Sequence, residues 1–439
     1  MPVKRSDRII KKLVWWAIAT LYHRVEVRQA PDLTAGGPLL ANSSHFGGFT
    51  DPLILIYAMD RVPRFIARDV IWKYPGARGI MKWVGAIPVH KPEDGGGLSN
   101  DQMFSSTYEA LHEGELVTIF PEGITVDDPS IAEIKTGSAR IVLGARADGV
   151  AGIRLISAGI HYQNKAALRS DVFVDISGDL DLDQFVADNV SPGDPEDASN
   201  RVLVRALTDE MEARLRNASP DFEDWATAHA LSSASEVALR DPNGDDVEVG
   251  HADRERLARL IDESSDEHRR TVIDAMSIYQ DDLDAMGLSD RMLVSGLGTP
   301  SKFLGYVIRT LIVGVILLPF ALAGAIVNVV PMALVWLIGR IKVADAVMAT
   351  VKPLGALFVF LVTWGLWVWV GARVAGVQGA AAVLLLLPIL LYALIAIFER
   401  GVLLARVIRG FTRSRSVGDV YGQLHRHRET VVDAVARAA

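Results

Sequence analysis

Residues 39–58 read LLANSSHFGGFTDPLILIYA, and this stretch decides how the surrounding chain folds. The apolar run Leu39-Ala41 leads into a polar loop with two glycines, and an apolar helical pattern begins near Asp51. A short β run, a loop and then a helical run form the repeating unit of an α/β domain. Functional groups in such domains lie at strand ends and helix starts. His45 and Asp51 occupy these positions, so both are candidate functional residues.

The same alternation continues on both sides of this stretch, from about residue 35 to about residue 180. It predicts an α/β domain, a mixed sheet flanked by helices, which we place at residues 31–190. The expected strands are Leu39-Ala41, Arg64-Ala67, Leu116-Phe120, Ile153-Ile160 and Val172-Ile176, and the expected helices cover about 51–58, 76–84, 100–113 and 137–147.

The composition predicts a membrane component and excludes several classes of protein. Half of the 439 residues are hydrophobic, which is too apolar an average for an ordinary soluble enzyme. The net charge of -8 and the lack of a basic block argue against a nucleic-acid partner. The chain has no cysteine, which excludes disulfides, thiolate zinc sites and a cysteine nucleophile.

Three further segments differ in composition from the α/β domain. Residues 1–30 combine cations with Trp15, Trp16 and Tyr22, and this mixture predicts an amphipathic helix at a lipid headgroup boundary. A helix that packs on its own domain is the alternative. Residues 191–300 are acidic, mostly helical by periodicity and without a catalytic constellation. Residues 411–439 are expected to form a cytoplasmic tail.

Residues 301–410 are predicted to form a membrane region. The runs 353–372 and 374–398 contain no charged residue, and each is long enough to cross a bilayer. If all flanking cations face the cytoplasm, Leu311–Leu337 forms a bent hairpin that precedes two full spans, and three true spans are the alternative. The cations form three clusters: Lys302 and Arg309, then Arg340, Lys342 and Lys352, and finally Arg400, Arg406 and Arg409. This arrangement predicts a multi-pass protein of the cell membrane whose catalytic domain faces the cytoplasm.

His45 and Asp51 together suggest acid–base chemistry. Free imidazole titrates near neutrality, so a histidine can remove a proton from a hydroxyl group as the oxygen attacks. A carboxylate on the second ring nitrogen fixes the tautomer and stabilises the imidazolium that forms. The chain has no G-x-S-x-G motif, so direct transfer to a bound alcohol is favoured over a covalent acyl-enzyme.

A second motif, Phe120-Pro121-Glu122-Gly123, follows the strand predicted at 116–120. Glu122 can face the same cleft as His45 from this turn. Downstream, Lys135 precedes a helical run, and a lysine beside helix N-terminal amide groups suits a phosphate. Arg68 adds a cation near another strand end. Each of these features also fits an ordinary turn or surface charge.

These motifs resemble those of the glycerolipid acyltransferase family, which acylates glycerol phosphate and lysophosphatidic acid. The resemblance covers about residues 10–180. Five residues separate His45 from Asp51, an HxxxxxD motif, which is similar to one branch of the family. The other matching blocks are Phe65-Ile66-Ala67-Arg68, Phe120-Pro121-Glu122-Gly123 and Leu155-Ile156-Ser157-Ala158, and Ile124-Thr125-Val126 replaces the Thr-Arg-Ser that is common after the third block.

The resemblance implies a membrane-bound O-acyltransferase of phospholipid synthesis. His45 would act as general base and Asp51 would orient it, while Glu122 and Gly123 would hold the glycerol portion of the acceptor. The acceptor would be glycerol-3-phosphate or 1-acylglycerol-3-phosphate, its phosphate held by Arg68 and Lys135. The donor would be acyl-CoA or acyl-carrier protein as co-substrate, with membrane lipids as partners, no other cofactor and no metal.

Two other functions stay open. The loss of the arginine after Gly123 supports an acyltransferase for another lyso-lipid or an aminolipid. A non-catalytic membrane scaffold with the same fold, which docks a partner through residues 191–300, is the second alternative. The intact His45, Asp51 and Glu122 argue against the scaffold.

Overall fold

The computed structural model describes residues 5–29, 32–33, 36–73, 77–91, 100–165, 167, 169–241, 248–295, 300–341, 345–414 and 420–439. The chain divides into two compact units. The first comprises residues 1–225 with 343–350, and the second comprises residues 226–342 with 351–439.

The first unit alternates strands and helices, as the sequence predicts. In chain order its elements are α1 (Arg5–Leu21), β1 (Tyr22–Gln29), β2 (Leu39–Ser43), α2 (Thr50–Ala58), β3 (Arg64–Arg68), α3 (Ala77–Trp83), β4 (Ile87–Val89), α4 (Asp101–His112), β5 (Leu116–Ile119), α5 (Gly137–Ala147), β6 (Arg154–Tyr162), β7 (Ser170–Ile176), β8 (Leu180–Asp181), α6 (Leu182–Asn189) and α7 (Arg201–Ala218). Each predicted strand and helix is present, with ends within two residues of those expected.

The strands form one mixed sheet in the order β1-β7-β6-β2-β5-β3-β4, and β8 pairs with β6. Strand β2 is parallel to β5 and β6, and β3 is parallel to β5 and β4. Strand β7 runs antiparallel to β6 and parallel to β1. The predicted fold class is confirmed. The carboxyl ends of β2, β3, β4, β5 and β6 therefore meet at one edge of the sheet.

Helices cover both faces of this sheet. Every residue of β2 is buried, as expected for a central parallel strand covered on both sides. Right-handed crossovers place α2 and α3 on one face and α4 and α5 on the other. Helix α1 packs against α2, while α5 packs against α4 and α7. The sheet is thus the middle layer of three.

The amphipathic helix predicted for residues 1–30 is shorter than expected. Helix α1 ends at Leu21, and residues 22–29 form an edge strand instead. The sequence YHRVEVRQ places Val25 and Val27 on alternate positions, which favours a strand beside β7. Helix α1 buries Ile10, Val14 and Ile18 and exposes Leu13, Trp15 and Trp16. One side of the helix therefore packs on its own domain, and the other presents apolar residues outward.

The second unit is helical in all of its described elements. They are α8 (Trp225–Leu239), α9 (His251–Asp262), α10 (Asp266–Met286), α11 (Asp290–Val294), α12 (Pro300–Ile338), α13 (Asp345–Ser414) and α14 (Val420–Ala438). The first residue of α8 and residues 345–350 of α13 are assigned to the first unit. Helix α14 packs against α9 and α10. The buried Arg428 donates to Asp290 over 2.9 Å, and Asp290 also accepts from Arg240 and from the Tyr279 hydroxyl. This network ties the end of the chain to α10 and α11.

Two helices among the described residues are long and apolar enough to cross a membrane, Ser301–Ile338 and Val351–Thr412. The bent hairpin predicted for Leu311–Leu337 is not present, because α12 continues through both of its prolines. A proline removes one backbone donor but does not reverse an apolar helix whose other groups stay bonded. The polar side chain of Asn328 is also satisfied, since it donates to Gly324 O and accepts from Trp364 Nε1.

Helix α13 breaks close to Arg373, the charged residue that separates its two apolar runs. Ala375 and Gly376 have non-helical backbone angles, with φ of 62° at Gly376. Glycine adopts this left-handed conformation without steric cost. Residues 345–414 therefore consist of two helical segments that meet at a glycine.

Candidate active site

His45, Asp51 and Glu122 meet at the carboxyl edge of the sheet. His45 follows β2, Asp51 lies in the first turn of α2, and Glu122 follows β5, the strand beside β2. Parallel pairing of β2 with β5 brings residues 77 positions apart into hydrogen-bond contact. The sheet, rather than the local chain, assembles the site.

The His45 ring is held by Asp51. Its Nδ1 lies 2.8 Å from Asp51 Oδ2, and the Asp51 side chain is fully buried whereas that of His45 is 20% exposed. An ionised carboxylate only accepts hydrogen bonds, so Nδ1 carries the proton and Nε2 keeps its lone pair. Phe120 stacks on the ring with centroids 4.2 Å apart. No described residue bonds to Nε2, which leaves this atom available as a base.

Donors from two elements hold the Asp51 carboxylate in place. The backbone N–H of Gly47 donates to both of its oxygens, each over 3.0 Å. The Tyr162 hydroxyl, at the end of β6, donates to Oδ1 over 2.5 Å. Burial and the charge of Asp51 raise the pKa of Tyr162 well above its ordinary value, so the hydroxyl keeps its proton. Asp51 is therefore a fully buried carboxylate whose two oxygens both accept hydrogen bonds.

Glu122 connects two loops through its carboxylate. Oε1 accepts from the backbone N–H of His45 over 3.0 Å, and Oε2 accepts from that of Ala132 over 2.9 Å. Burial raises the pKa of Glu122, and the hydrogen bonds from Ala132 and His45 oppose that rise. Glu122 thus fixes the backbone from which the His45 ring projects.

Two lysine side chains lie beside the turn at Gly123. Gly123 has φ of 68°, and a side-chain carbon added there would lie 3.1 Å from Lys135 Nζ. Lys91, which follows β4, donates to the Gly123 carbonyl. Lys135 also precedes α5. The first N–H groups of a helix have no acceptor within the helix, so they can bind a ligand. Ammonium groups beside a helix N-terminus suit an anionic ligand.

The structure places most of the predicted site residues close together. The roles assigned to them from the sequence are still predictions. His45, Asp51 and Glu122 are in direct contact, and Lys135 lies beside Gly123. Arg68 is exposed at the last residue of β3, the strand next to β5.

Sequence reasoning missed Tyr162 and Lys91 as members of this site. Tyr162 ends a hydrophobic strand and is 111 residues from Asp51, so it looks like an ordinary core residue. Lys91 follows the Gly85-Ala86-Ile87-Pro88-Val89 segment, and a cation shortly after this apolar segment is the signal that could have identified it.

The part of the chain that contains this site is similar to known proteins. Residues 24–160 match the family model described as Acyltransferase. Over 200 residues the chain is 27% identical to glycerol-3-phosphate O-acyltransferase 2 of Saccharomyces cerevisiae, a match that covers 45% of this chain and only 26% of the yeast protein. The crystal structure of the 1-acyl-sn-glycerophosphate (LPA) acyltransferase PlsC from Thermotoga maritima aligns with a TM-score of 0.36 and 17% identity, over 48% of this chain and 78% of that one.

Proposed function

We propose that this chain, whose residues 24–160 match the family model described as Acyltransferase, transfers a fatty acyl group to the hydroxyl of a glycerophosphate-type acceptor. The donor is a thioester, acyl-CoA or acyl-carrier protein, and the acceptor is glycerol-3-phosphate or 1-acylglycerol-3-phosphate. The observation that carries the proposal is the His45 Nδ1–Asp51 Oδ2 contact of 2.8 Å, which leaves Nε2 unprotonated.

The reaction needs one base and one returned proton. His45 Nε2 takes the proton of the acceptor hydroxyl as that oxygen attacks the thioester carbonyl, and Asp51 stabilises the imidazolium. When the tetrahedral intermediate collapses, the C–S bond breaks and the imidazolium returns the proton to the departing thiolate. The products are the ester and a free thiol, and no covalent enzyme intermediate is required.

The acceptor binds beside the Gly123 turn. Lys135 and the N-terminus of α5 hold its phosphate, with Arg68 as a further cation from β3. Gly123 allows the glycerol portion to come close to the backbone, and Glu122 keeps the turn and the His45 loop together. This arrangement supports an acceptor that carries an anionic group next to the reacting hydroxyl.

Helices α12 and α13 anchor the enzyme in the membrane, with the catalytic domain on the cytoplasmic side. Most of their side chains are exposed apolar groups, and such surfaces need a lipid environment. The cations at their ends support this orientation.

Acyl transfer by the purified full chain in detergent tests the proposal. We expect the wild type to transfer labelled acyl chains from acyl-CoA or acyl-carrier protein, and His45→Ala to lower the rate roughly 10²–10⁴-fold because the base is gone. The matched control is His112→Ala, which removes the histidine of an exposed pair with Asp148. Equal rates in His45→Ala and the control would remove His45 from the mechanism.

An acceptor panel separates the proposed function from its alternatives. Glycerol-3-phosphate, 1-acylglycerol-3-phosphate, other lyso-phospholipids and an aminolipid are each assayed with both donors. Transfer restricted to the last two classes would support the alternative acceptor, which the Ile124-Thr125-Val126 segment favours. A wild type that transfers to none of them would support the scaffold.

A further inference from the structure

The carboxylate of Asp51 depends on a hydroxyl from a distant strand. Oδ2 accepts hydrogen bonds from His45 Nδ1 and from the Gly47 N–H. Oδ1 accepts hydrogen bonds from the same Gly47 N–H and from the Tyr162 hydroxyl. Tyr162 is thus the donor that is specific to Oδ1. By bonding Oδ1 it turns the plane of the carboxylate so that Oδ2 faces the imidazole.

The loop between His45 and Asp51 is built around the same hydroxyl. A side-chain carbon at Gly47 would overlap the Tyr162 oxygen, so only glycine fits there. The Thr50 hydroxyl lies 3.0 Å from the Tyr162 oxygen and donates to the Gly47 carbonyl over 3.0 Å. Gly48 completes the loop with φ of 60°. The five residues between His45 and Asp51 therefore pass around a buried tyrosine.

We infer that Tyr162 is a positioning residue for catalysis, which acts through Asp51 on the His45 base and fixes the path of the longer His–Asp loop. This inference rests on the proposed function. Tyr162 does not reach the reacting atoms itself, because it is buried behind Asp51. Its hydroxyl restrains the anion and takes up part of its charge.

The titratable and charged groups around this unit come from four elements. Asp51 from α2 bonds the His45 ring, and Glu122 from the turn after β5 bonds the His45 backbone N–H. Tyr162 from β6 bonds Asp51, and Tyr22 from the β1 edge packs on Tyr162 with ring centroids 6.2 Å apart. Removal of the Tyr162 hydroxyl leaves Asp51 buried with one donor fewer, so its charge acts more strongly on the imidazole. The imidazolium that His45 forms during the reaction is then stabilised more strongly by Asp51.

Tyr162→Phe tests the inference, with Tyr279→Phe as the matched control. Tyr279 is also buried and also donates to a carboxylate, Asp290 over 2.8 Å, but it lies outside the catalytic unit. We expect Tyr162→Phe to lower kcat about tenfold with KM for both substrates unchanged, because hydrogen bonds to charged groups are strong. The acid limb of the pH profile of kcat/KM should also move to higher pH. Tyr279→Phe should change neither.

A second measurement keeps the two proposals apart. The rate at which diethyl pyrocarbonate modifies His45, followed by mass spectrometry across pH, reports its protonation without any need for turnover. We expect the curve to move to higher pH in Tyr162→Phe and to stay unchanged in Tyr279→Phe. An unmoved curve, or one moved to lower pH, would overturn the role of Tyr162. A wild type without acyl transfer would instead refute the proposed function.

Discussion

Two buried carboxylates organise the site at the scale of single residues, and each is matched by donors from the backbone. Asp51 accepts from Gly47, and Glu122 accepts from His45 and Ala132. A buried carboxylate is stable only when its oxygens are bonded. The carboxylates therefore fix the loops, and the loops fix the imidazole.

Asp51→Asn should reverse the histidine tautomer while it preserves the shape of the site. An amide can donate to Nδ1, which would place the ring proton on Nε2 and abolish the base. We expect the rate of acyl transfer to fall about 10⁴-fold, as for the same change in a serine protease triad. Asp148→Asn, at the exposed partner of His112, is the control. Similar rates for both variants would contradict the tautomer argument.

Gly123→Ala should weaken acceptor binding. A residue with φ of 68° is strained when it carries a side chain, and the added carbon would press on Lys135 Nζ at 3.1 Å. Gly149→Ala is the control for strain alone, because Gly149 has φ of 97° and nothing within 4 Å of the added carbon. We expect both variants to lose about 1 kcal/mol of folding free energy. Only Gly123→Ala should raise KM for the acceptor, and equal KM values would separate Lys135 from acceptor binding.

Glu122 should make stability depend on pH. Its pKa in the folded state is raised from 4.5, chiefly by burial, so the native protein holds this proton more tightly than the unfolded chain does. The stability that this provides is present below pH of about 4.5 and is lost as pH rises through the folded-state pKa. The measurement is the difference in free energy of unfolding between wild type and Glu122→Gln. This difference should decrease as pH rises from about 4.5 to the folded-state pKa of Glu122, and it should stay constant at higher pH. An increase over the same range would mean that folding lowers the pKa of Glu122.

At the scale of elements, the end of helix α7 packs closely against strand β6 in the first unit. Helix α7 ends on β6, where His161 Nε2 donates to the Ala218 carbonyl over 2.7 Å. A side-chain carbon at Gly159 would overlap that same carbonyl. The contact explains why α7, which follows the residues 31–190 assigned from the sequence, lies in the same compact unit.

Gly159→Ala should therefore destabilise the catalytic domain. Overpacking against backbone atoms that cannot move aside costs about 1–3 kcal/mol of folding free energy. Gly178→Ala is the control, because nothing lies within 4 Å of the added carbon there. Thermal unfolding of the two variants gives the measurement. An equal midpoint in both would mean that α7 can shift on β6 without loss.

The elements themselves were largely predictable from the sequence, with exceptions at the ends of the chain. The alternation of apolar runs and turns identified β2, β3, β5, β6 and β7 because local periodicity encodes such elements. Strand β1 was missed, since a half-exposed edge strand that follows a helix directly has little apolar character. The hairpin at Leu311–Leu337, expected from the flanking cations, was wrong because α12 continues as one helix through both of its prolines.

At the scale of the whole molecule, contacts within the second unit constrain the membrane topology that we propose. Helices α10 and α14 precede and follow the apolar helices, yet they pack together, and His427 lies 2.6 Å from Asp282. The rings of Phe303 and Phe411 stack with centroids 3.9 Å apart, so the start of α12 lies beside the end of α13. A chain that enters and leaves on one side crosses an even number of times. This argues against three true spans.

Single cysteines report this topology directly, because the chain has none of its own. We expect an impermeant thiol reagent to label Glu267→Cys and Ala439→Cys from the same side of sealed vesicles. Asp345→Cys, at the first residue of α13, should be labelled from the opposite side if α12 crosses fully. Labelling of the first two positions from opposite sides would rule out an even number of crossings.

The sequence by itself determined the α/β alternation, the His45–Asp51 pair, the turn that carries Glu122 and Gly123, and the apolar runs near the C-terminus. These are local properties, set by the spacing of apolar, turn and charged residues along a few tens of positions. Only the tertiary structure decided that Glu122 bonds the backbone of His45, that Tyr162 bonds Asp51 and that α14 packs on α10. Each of these contacts joins residues that lie far apart in the chain, and their proximity follows from strand order and helix packing, which no local pattern encodes.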